Sequence, residues 1–289
     1  MIQSLYINWN VDPEIFSVGC ISIRWYSLLF VLGFVLGWYI FRWFFRTEKI
    51  KETLLDPLLY TLIAGTIIGA RLGHCIFYQP EYYFGSWKGF WEIFMPWKGG
   101  LASHGGTIAL LLAMWWFAKK YGPRYRFDFL WLLDHLAIPV AFAAFFIRLG
   151  NLFNSEIFGA PTTLPWGFYF PFSYEGQDGL PHHPTQLYEG LTYLLLGIVL
   201  ILLYKYKREK LYRGTVIGIF FVVVFGARFL IEFVKNDQVA FEANMALNMG
   251  QILSIPFIIL GIALMIYGFV RKEPFMTYDP KTRPVKKKA

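Results

Sequence analysis

Two polar runs at the ends of apolar segments carry residue types that bind anions. In the first, Arg148 and Asn151 are three residues apart and share a helix face. Asn154, Glu156 and Gly159 follow where the chain leaves that helix. Because a guanidinium beside amide groups can clamp a phosphate while Glu156 holds the arginine in place, we expect an anion site here. The alternative interpretation is a helix cap with an internal salt bridge.

The second run, Arg228-Phe-Leu-Ile-Glu232, places a guanidinium and a carboxylate four residues apart, so the two can pair on one helix face. A structural pair is the better interpretation for Glu232, whereas Arg228 can both pair and bind a ligand. Gln186 and Glu189 also share a face, at the start of another apolar segment. We expect these two side chains to position other groups.

A histidine among glycines forms the third candidate. Gly99 and Gly100 precede His104, and Gly105 and Gly106 follow it. Glycines let a ligand or a neighbouring backbone approach closely, and an imidazole can take or give a proton near neutral pH. The same pattern is compatible with close helix packing in which His104 is merely hydrogen-bonded.

Four arginines lie inside or at the edge of apolar segments: Arg24, Arg71, Arg148 and Arg228. Placing an ionisable group at membrane depth costs about 2.5 kcal/mol or more, so such groups are rarely kept without a role. Arginine also fits phosphate and carboxylate in a bidentate geometry that lysine lacks. The distribution therefore predicts a buried anion site.

Composition places these residues in a membrane protein. The chain has 289 residues, of which 56% are hydrophobic, 20% aromatic and 16% charged, whereas soluble domains average about 25% charged. A bilayer-crossing helix needs about 20 mostly apolar residues. The sequence therefore predicts an all-α, polytopic membrane protein with seven transmembrane helices. The predicted spans are 22–44, 54–78, 99–118, 128–150, 186–204, 214–234 and 250–270.

Basic residues indicate the orientation of these spans. Of the 27 Lys and Arg residues, 20 lie in the loops after spans 1, 3 and 5 and in the tail. The opposite loops contain only Lys88, Lys98 and Lys235. By the positive-inside rule the N-terminus is outside, in the periplasm, and the C-terminus is cytoplasmic.

We expect a single membrane domain at residues 1–270, with an outer loop at 151–185. A basic cytoplasmic tail at 271–289 is expected to be disordered and to contact anionic lipid. The aromatic residues of the outer loop are typical of anchors at lipid headgroups. They are Trp166, Phe168, Tyr169, Phe170 and Phe172.

Charge and cysteine content argue against other classes of function. The net charge of +8 arises in the loops and the tail, so nucleic acid binding is not expected. Cys20 and Cys75 give no disulfide framework, and His182 and His183 lack the spacing of metal ligands. We therefore expect no metal and no cofactor.

With this orientation, most polar residues of the spans lie in the outer half of the membrane. They are Tyr26, Arg71, His74, His104, Arg148, Gln186, Tyr188, Glu189, Arg228, Glu232 and Gln251. Only Asp134 and His135 lie deeper, and a packed polar pair without a functional role is the better interpretation for them. The predicted site therefore faces the outer leaflet.

Several separated motifs resemble the bacterial prolipoprotein diacylglyceryl transferase family. They are Arg24-Trp-Tyr26, Gly69-Ala-Arg71-Leu-Gly, His104-Gly-Gly, the run 148–159, His183-Pro-Thr-Gln-Leu-Tyr-Glu, Arg228-Phe-Leu-Ile-Glu and Met249-Gly-Gln251. The run 148–159 is similar to the family's most specific motif, which usually has glycine at the position of Ile147 and phenylalanine at that of Leu152. Both positions are apolar, so we expect the same chemistry.

The resemblance implies an enzyme of the bacterial plasma (inner) membrane. It would transfer the diacylglyceryl group of phosphatidylglycerol to the lipobox cysteine in the signal peptide of a preprolipoprotein, the first step of lipoprotein maturation. The products would be a thioether and glycerol 1-phosphate. The leaving group is a phosphate ester, so its departure needs cations, and the thiol must become a thiolate to attack.

Under this resemblance, Arg148 and Arg228 grip the phosphate. His104 is the candidate base for the thiol, and Tyr26 is a candidate to orient the lipid headgroup or the thiol. The remaining phosphatidylglycerol-binding candidates are Asn151, Asn154, Glu156 and Gly159. Supporting roles are expected for Arg71, Gly99, Gly105, Gln186, Glu189, Glu232 and Gln251.

Three other functions are weighed against the transferase. A transporter for an anionic solute would place its arginines near the midplane between repeats, but the predicted spans are odd in number and the polar cluster lies to one side. An intramembrane hydrolase is suggested by Ser103 beside His104, but adjacency in sequence does not make a hydrogen-bonded pair. A purely structural membrane protein would not need four buried arginines.

Overall fold

The computed structural model describes residues 6–19, 21–173, 175–235 and 245–277. Most of these residues are helical. The helices are α1 (Trp25–Thr47), α2 (Leu55–Phe77), α3 (Pro80–Gly85), α4 (Trp87–Glu92), α5 (Ser103–Tyr125), α6 (Phe129–Phe153), α7 (Thr185–Lys207), α8 (Thr215–Ile231) and α9 (Met249–Arg271). The predicted predominance of helix is confirmed, with each long helix overlapping one predicted span.

Two short β pairings supplement the helices. Strand β2 (Glu14–Val18) pairs with β3 (Ile21–Arg24) in an antiparallel hairpin directly before α1. Strand β1 (Ile7–Asn8) pairs in parallel with β4 (Phe168–Tyr169). The sequence analysis did not predict these strands, because each is too short for a clear alternating pattern.

Within the part of the chain that the structure describes, six helices are long and apolar enough to cross a membrane. They are Trp25–Thr47, Glu52–Phe77, Phe129–Phe153, Thr185–Lys210, Thr215–Val234 and Met249–Arg271. The protein is thus a helical, polytopic membrane protein. Helix α5, at the third predicted span, is not among the six: it begins with Ser103 and His104, and its end carries Lys119, Lys120 and Arg124. These polar ends lower the mean hydropathy of an otherwise apolar helix.

The described chain forms two compact units. The first comprises Met1–Ile40 and Leu133–Met276. Within it, α1 packs on α6 where Gly33 faces Ala143, and α8 packs on α9 where Gly218 faces Gly261. Close helix packing through small residues is the usual way that membrane helices associate.

An aromatic cluster forms beside the end of α6 in this first unit. Its buried members are Leu152, Phe158, Phe168 and Phe170, with Trp9 packed against them. Phe168 and Phe170 were expected to anchor to lipid headgroups, and this prediction is wrong for both, since they form a protein core. Trp166 and Phe172 of the same loop are exposed.

The second unit comprises Phe41–Leu132 and Thr277–Ala289. Helices α2 and α5 approach so closely that a Cβ on Gly105 would lie 2.3 Å from the Gly69 carbonyl oxygen. At the basic end of this unit, the buried Glu48 carboxylate accepts hydrogen bonds from Trp131 Nε1 at 3.0 Å and from the Thr277 amide at 2.9 Å.

The first residues of the predicted tail are ordered. Phe275 is fully buried and stacks on His135 with ring centroids 4.6 Å apart. The expectation of disorder is therefore wrong as far as Thr277, because this segment packs on the protein. Residues 278–289, and with them the terminal lysines, lie outside the described residues, as does Cys20.

Asp134 has a structural role in the first unit. Its carboxylate accepts hydrogen bonds from the backbone amides of Gly214 at 2.6 Å and Ile217 at 2.9 Å, at the start of α8. These amides have no partner within the helix, and a carboxylate at this end also interacts favourably with the helix dipole. The interpretation of Asp134 and His135 as a packed polar pair is supported.

Candidate active site

Arg148, in the last turns of α6, is held by Glu189 at the start of α7. Its Nε lies 2.5 Å from Glu189 Oε2, and the side chains are 18% and 1% exposed respectively. Arg148 Nη1 also donates a hydrogen bond to Asn151 Oδ1 at 3.3 Å, which confirms that these two residues share a face. The guanidinium is thus held at Nε and Nη1, while the described residues form no hydrogen bond with Nη2.

Glu156 does not hold Arg148, contrary to the prediction. Its Oε1 instead accepts hydrogen bonds from Asn151 Nδ2 at 2.8 Å and Asn154 Nδ2 at 3.2 Å. The reason is geometric: Glu156 lies in the turn after α6, where the chain reverses direction, and Glu189 approaches the arginine from the neighbouring helix. Glu156 therefore orients the two amides, and only through Asn151 does it act on Arg148.

The turn after α6 has an unusual backbone. Ser155 and Ile157 have positive φ angles of 52° and 60°, in the left-handed region that non-glycine residues rarely adopt. Gly159 then approaches the neighbouring chain closely: a Cβ there would lie 2.4 Å from the Val234 carbonyl oxygen. Its amide donates to the His183 carbonyl at 2.8 Å. Gly159 is thus a packing position that joins this turn to the ends of α7 and α8.

Tyr26, the second residue of α1, packs on the same end of α6. A Cβ on Gly150 would lie 2.7 Å from Tyr26 Cδ2, so the ring rests directly on the glycine backbone. The ring of Tyr26 therefore lies at the end of α6 that carries Arg148. The sequence analysis did not identify Gly150, since a glycine inside an apolar helix carries no signal of its partner.

Arg228, near the end of α8, is half-buried, and among the described residues none forms a hydrogen bond or ion pair with its guanidinium. Its charge acts on the Glu189 carboxylate. The expected pair between Arg228 and Glu232 is not formed, because Glu232 continues into a 3-10 turn and pairs with Lys235 at 3.3 Å. Lys235, which the sequence analysis treated as a loop residue, also binds Glu189 at 2.6 Å.

Gln186 and Gln251 both form hydrogen bonds to backbone groups at helix ends. Gln186 is buried and its Nε2 donates to the Glu156 carbonyl at 2.7 Å, which ties α7 to the turn after α6. Gln251 lies in the first turn of α9: its backbone amide donates to Asn248 Oδ1 at 2.9 Å, and its Nε2 donates to the Phe229 carbonyl at 3.4 Å. Gln186 and Gln251 therefore fix helix ends beside Arg148 and Arg228, which together form the arginine cluster.

In the second unit, Arg71 organises a loop instead of remaining open to an anion. Its guanidinium donates hydrogen bonds to the carbonyl oxygens of Ile93 at 3.1 Å, Gly99 at 2.5 Å and Gly100 at 3.2 Å, and to that of Glu92. These four acceptors engage Nε, Nη1 and Nη2 of the guanidinium, so Arg71 holds this loop in place. Gly99 and Gly100 have φ angles of 86° and 72°, which bring their carbonyls to it.

His104 lies in the first turn of α5, and its imidazole is exposed and forms no hydrogen bond with the described residues. The expectation of a merely hydrogen-bonded histidine is therefore not met. Gly105 beside it is a close-packing position against Gly69 and Gly73 of α2. Close packing of α5 on α2 accounts for Gly105, and it leaves the His104 imidazole accessible.

One predicted buried arginine is not buried. Arg24 ends strand β3, directly before α1, and is exposed opposite Glu14 of β2. Together, Ser22, Ser17 and the charge of Arg24 hold the pKa of Glu14 below its usual value. Arg24 is thus exposed, whereas Arg148 and Arg228 lie near the buried Glu189 carboxylate.

A hydrogen-bonded chain of aromatic residues lies at the start of α7. Trp166 Nε1 donates a hydrogen bond to Tyr188 Oη at 2.9 Å. The same Tyr188 oxygen lies 3.2 Å from His183 Nδ1. Burial and the neighbouring His182 lower the pKa of His183. The contact between His183 and Tyr188 ties the loop beside Gly159 to the start of α7.

The fold and this cluster define a polytopic membrane protein with a buried, cation-containing site at the ends of α6, α7 and α8. Comparison with known proteins specifies the family. The sequence profile described as "Prolipoprotein diacylglyceryl transferase" matches residues 13–267. The chain therefore belongs to the prolipoprotein diacylglyceryl transferase family.

Individual relatives agree over nearly the whole chain. A protein of Bacteroides fragilis is 42% identical over 281 residues, which cover 93% of this chain and 98% of the relative. Proteins of Porphyromonas gingivalis and Tolumonas auensis are each 44% identical, covering 92% and 91% of this chain and 96% and 98% of the relatives. All three are named phosphatidylglycerol–prolipoprotein diacylglyceryl transferase.

Proposed function

We propose that the arginine cluster is where this transferase holds the phosphate of phosphatidylglycerol while a lipobox cysteine of a preprolipoprotein displaces it. The family supplies the reaction. One structural observation supports its location: Arg148 is fixed along one edge by Glu189, and Arg228 has no hydrogen-bonding partner among the described residues. Preorganised cations with free donors are what a phosphate ester needs to leave.

In the proposed reaction, the cysteine thiolate attacks the diacylglyceryl carbon that is bonded to the phosphate oxygen. The carbon–sulfur bond forms and the carbon–oxygen bond breaks, so the electron pair leaves with glycerol 1-phosphate. The departing phosphate gains negative charge, which Arg148 and Arg228 stabilise. Asn151 is held by Glu156 and contacts Arg148, so it keeps the guanidinium oriented during this step.

The thiol must first lose its proton. We propose His104 as the acceptor, because its imidazole is exposed and is not engaged by the described residues. Tyr26 is proposed to orient the lipid headgroup or the thiol, since its ring packs on Gly150 at the end of α6 that carries Arg148. Asn154, Glu156 and Gly159 are proposed to complete the binding site for phosphatidylglycerol.

We further propose that α5 is a seventh transmembrane helix and that the N-terminus faces the periplasm. The close antiparallel packing of α5 on the membrane-crossing α2 supports a membrane crossing for α5, whose polar ends lower its hydropathy. The positive-inside rule supports the orientation. The arginine cluster would then face the outer leaflet of the plasma membrane, where a translocated preprolipoprotein arrives, and the basic tail would contact anionic lipid.

The test uses purified full-length protein with labelled phosphatidylglycerol and a lipobox peptide. We expect the peptide to gain the mass of one diacylglyceryl group on its cysteine, with release of glycerol 1-phosphate. Arg228→Gln is expected to lower kcat by about 100-fold or more, the effect of removing a charged donor from a transition state. Wild-type protein that cleaved the peptide or transported a solute without this mass gain would refute the proposal.

A further inference from the structure

Lys235 is a buried cation to which the proposed mechanism gives no role. Its side chain is 6% exposed, whereas Lys88 is exposed and the Lys98 side chain is 48% exposed. Lysine is seldom buried unless it is paired. Lys235 Nζ lies 2.6 Å from Glu189 Oε1 and 3.3 Å from Glu232 Oε2.

The backbone fixes this lysine in place. Lys235 follows the short 3-10 turn Glu232–Val234, and its amide donates to the Glu232 carbonyl at 3.2 Å. The preceding residue, Val234, accepts a hydrogen bond from the Ala160 amide at 2.9 Å. The turn after α6 and the end of α8 are therefore joined immediately beside Lys235, and its side chain reaches the two carboxylates from a rigid position.

Lys235 and Arg148 bind opposite oxygens of Glu189. Lys235 contacts Oε1 and Arg148 Nε contacts Oε2, at 2.6 Å and 2.5 Å. A carboxylate with both oxygens free prefers a bidentate pair with a guanidinium, which occupies two of its nitrogens. Because Lys235 occupies Oε1, Glu189 binds Arg148 only at Nε. The terminal nitrogens of the guanidinium are therefore not occupied by Glu189.

The balance of charge depends on the same lysine. Arg148, Arg228 and Lys235 act on the carboxylates of Glu189 and Glu232 at the ends of α6, α7 and α8, and the Glu156 carboxylate is joined to Arg148 through Asn151. Without Lys235, the carboxylates would outnumber the cations at the place where an anionic phosphate has to bind. In a poorly hydrated site such an imbalance acts strongly on a charged ligand.

We propose that Lys235 is a positioning residue for phosphatidylglycerol: it neutralises Glu189 and Glu232, so that Arg148 and Arg228 present their charge to the phosphate. This inference rests on the proposed function. It assigns to Lys235 an action on phosphate binding through the two glutamates, without contact between the lysine and the reacting atoms.

The experiment measures kcat, and KM for phosphatidylglycerol, in full-length Lys235→Met and Lys235→Arg at saturating lipobox peptide. Methionine keeps the apolar stem and removes the charge. We expect Lys235→Met to raise KM and lower kcat/KM by about 10-fold to 100-fold, the usual effect of losing a residue that orients a binding group. Lys235→Arg should retain most of the activity, and the matched control Lys88→Met should behave as wild type.

Chemical rescue separates charge from structural support. In Lys235→Ala, added propylammonium should restore activity, whereas propanol, of similar size but uncharged, should not. Equal effects of the two additives, or a Lys235→Met enzyme with wild-type KM, would overturn the inference. If Lys235→Met behaved as wild type while Arg148→Gln lost activity, the inference about Lys235 would fail and the proposed function would stand. If the wild-type protein showed no transfer, the proposed function itself would fail.

Discussion

Glu189 at the start of α7 and Arg148 at the end of α6 form an ion pair of 2.5 Å, with the carboxylate 1% exposed. Tyr193, one turn further along α7, donates a hydrogen bond to the same oxygen at 3.2 Å. The direction of the guanidinium is therefore set by a neighbouring helix together with Asn151 of its own polar run.

Replacing Glu189 by Gln should impair both folding stability and catalysis. The change leaves Arg148 and Lys235 without their shared counter-ion in a buried site, at a cost of about 3 kcal/mol in the free energy of unfolding. Transfer activity should fall by about 10-fold to 100-fold because Arg148 loses its orientation. Thermal unfolding in detergent and the transfer assay measure the two effects.

The control for this change is Leu191→Ala on the same helix, where the side chain is 58% exposed. It should leave transfer activity unaltered. A Glu189→Gln enzyme as active as wild type would show that another group orients Arg148.

A methyl group at Gly150 should displace Tyr26. In Gly150→Ala the new Cβ would lie 2.7 Å from Tyr26 Cδ2 and 3.2 Å from its Cα, so the start of α1 has to move. We expect a large loss of kcat with little loss of folded protein. Gly226→Ala on α8 is the matched control, because its Cβ would meet nothing within 4 Å. Equal activity of the two variants would argue against a role for the position of Tyr26.

The glycines beside His104 offer an internal comparison. Gly105→Ala places a Cβ 2.3 Å from the Gly69 carbonyl oxygen, whereas the nearest atom to a Cβ on Gly106 is at 3.4 Å. Overpacking of this kind costs about 1–3 kcal/mol. Gly105→Ala should therefore lower the midpoint of thermal unfolding, and Gly106→Ala should have a much smaller effect. A similar loss in both variants would contradict close packing of α5 on α2.

Removing the Asp134 carboxylate should destabilise the protein without changing its chemistry. Asp134→Ala leaves the amides of Gly214 and Ile217 without their acceptor at the start of α8, and loss of such a cap costs about 1–2 kcal/mol. We expect a lower unfolding temperature, with kcat per folded molecule unchanged. Glu209→Ala, at an exposed carboxylate, is the control. A specific loss of kcat would assign Asp134 a catalytic role.

The sequence by itself determined the class of protein and the position of most of its membrane-crossing helices. Long apolar segments predict helices because an unpaired backbone is costly in lipid, so the spans follow from local composition. The spacing of Arg148 and Asn151 predicted their contact, because residues three apart on a helix are neighbours. Motifs distributed along the chain also identified the family, which the comparisons confirm.

Only the tertiary structure decided which charges meet. Glu189, and not Glu156, holds Arg148, and Glu232 binds Lys235 instead of Arg228. Arg71 binds carbonyl oxygens from a loop more than 20 residues away in sequence. Helical spacing specifies neighbours on one helix, but pairs between helices depend on how the helices pack and rotate. A guanidinium near several carboxylates takes its partner from that packing, which no local pattern encodes.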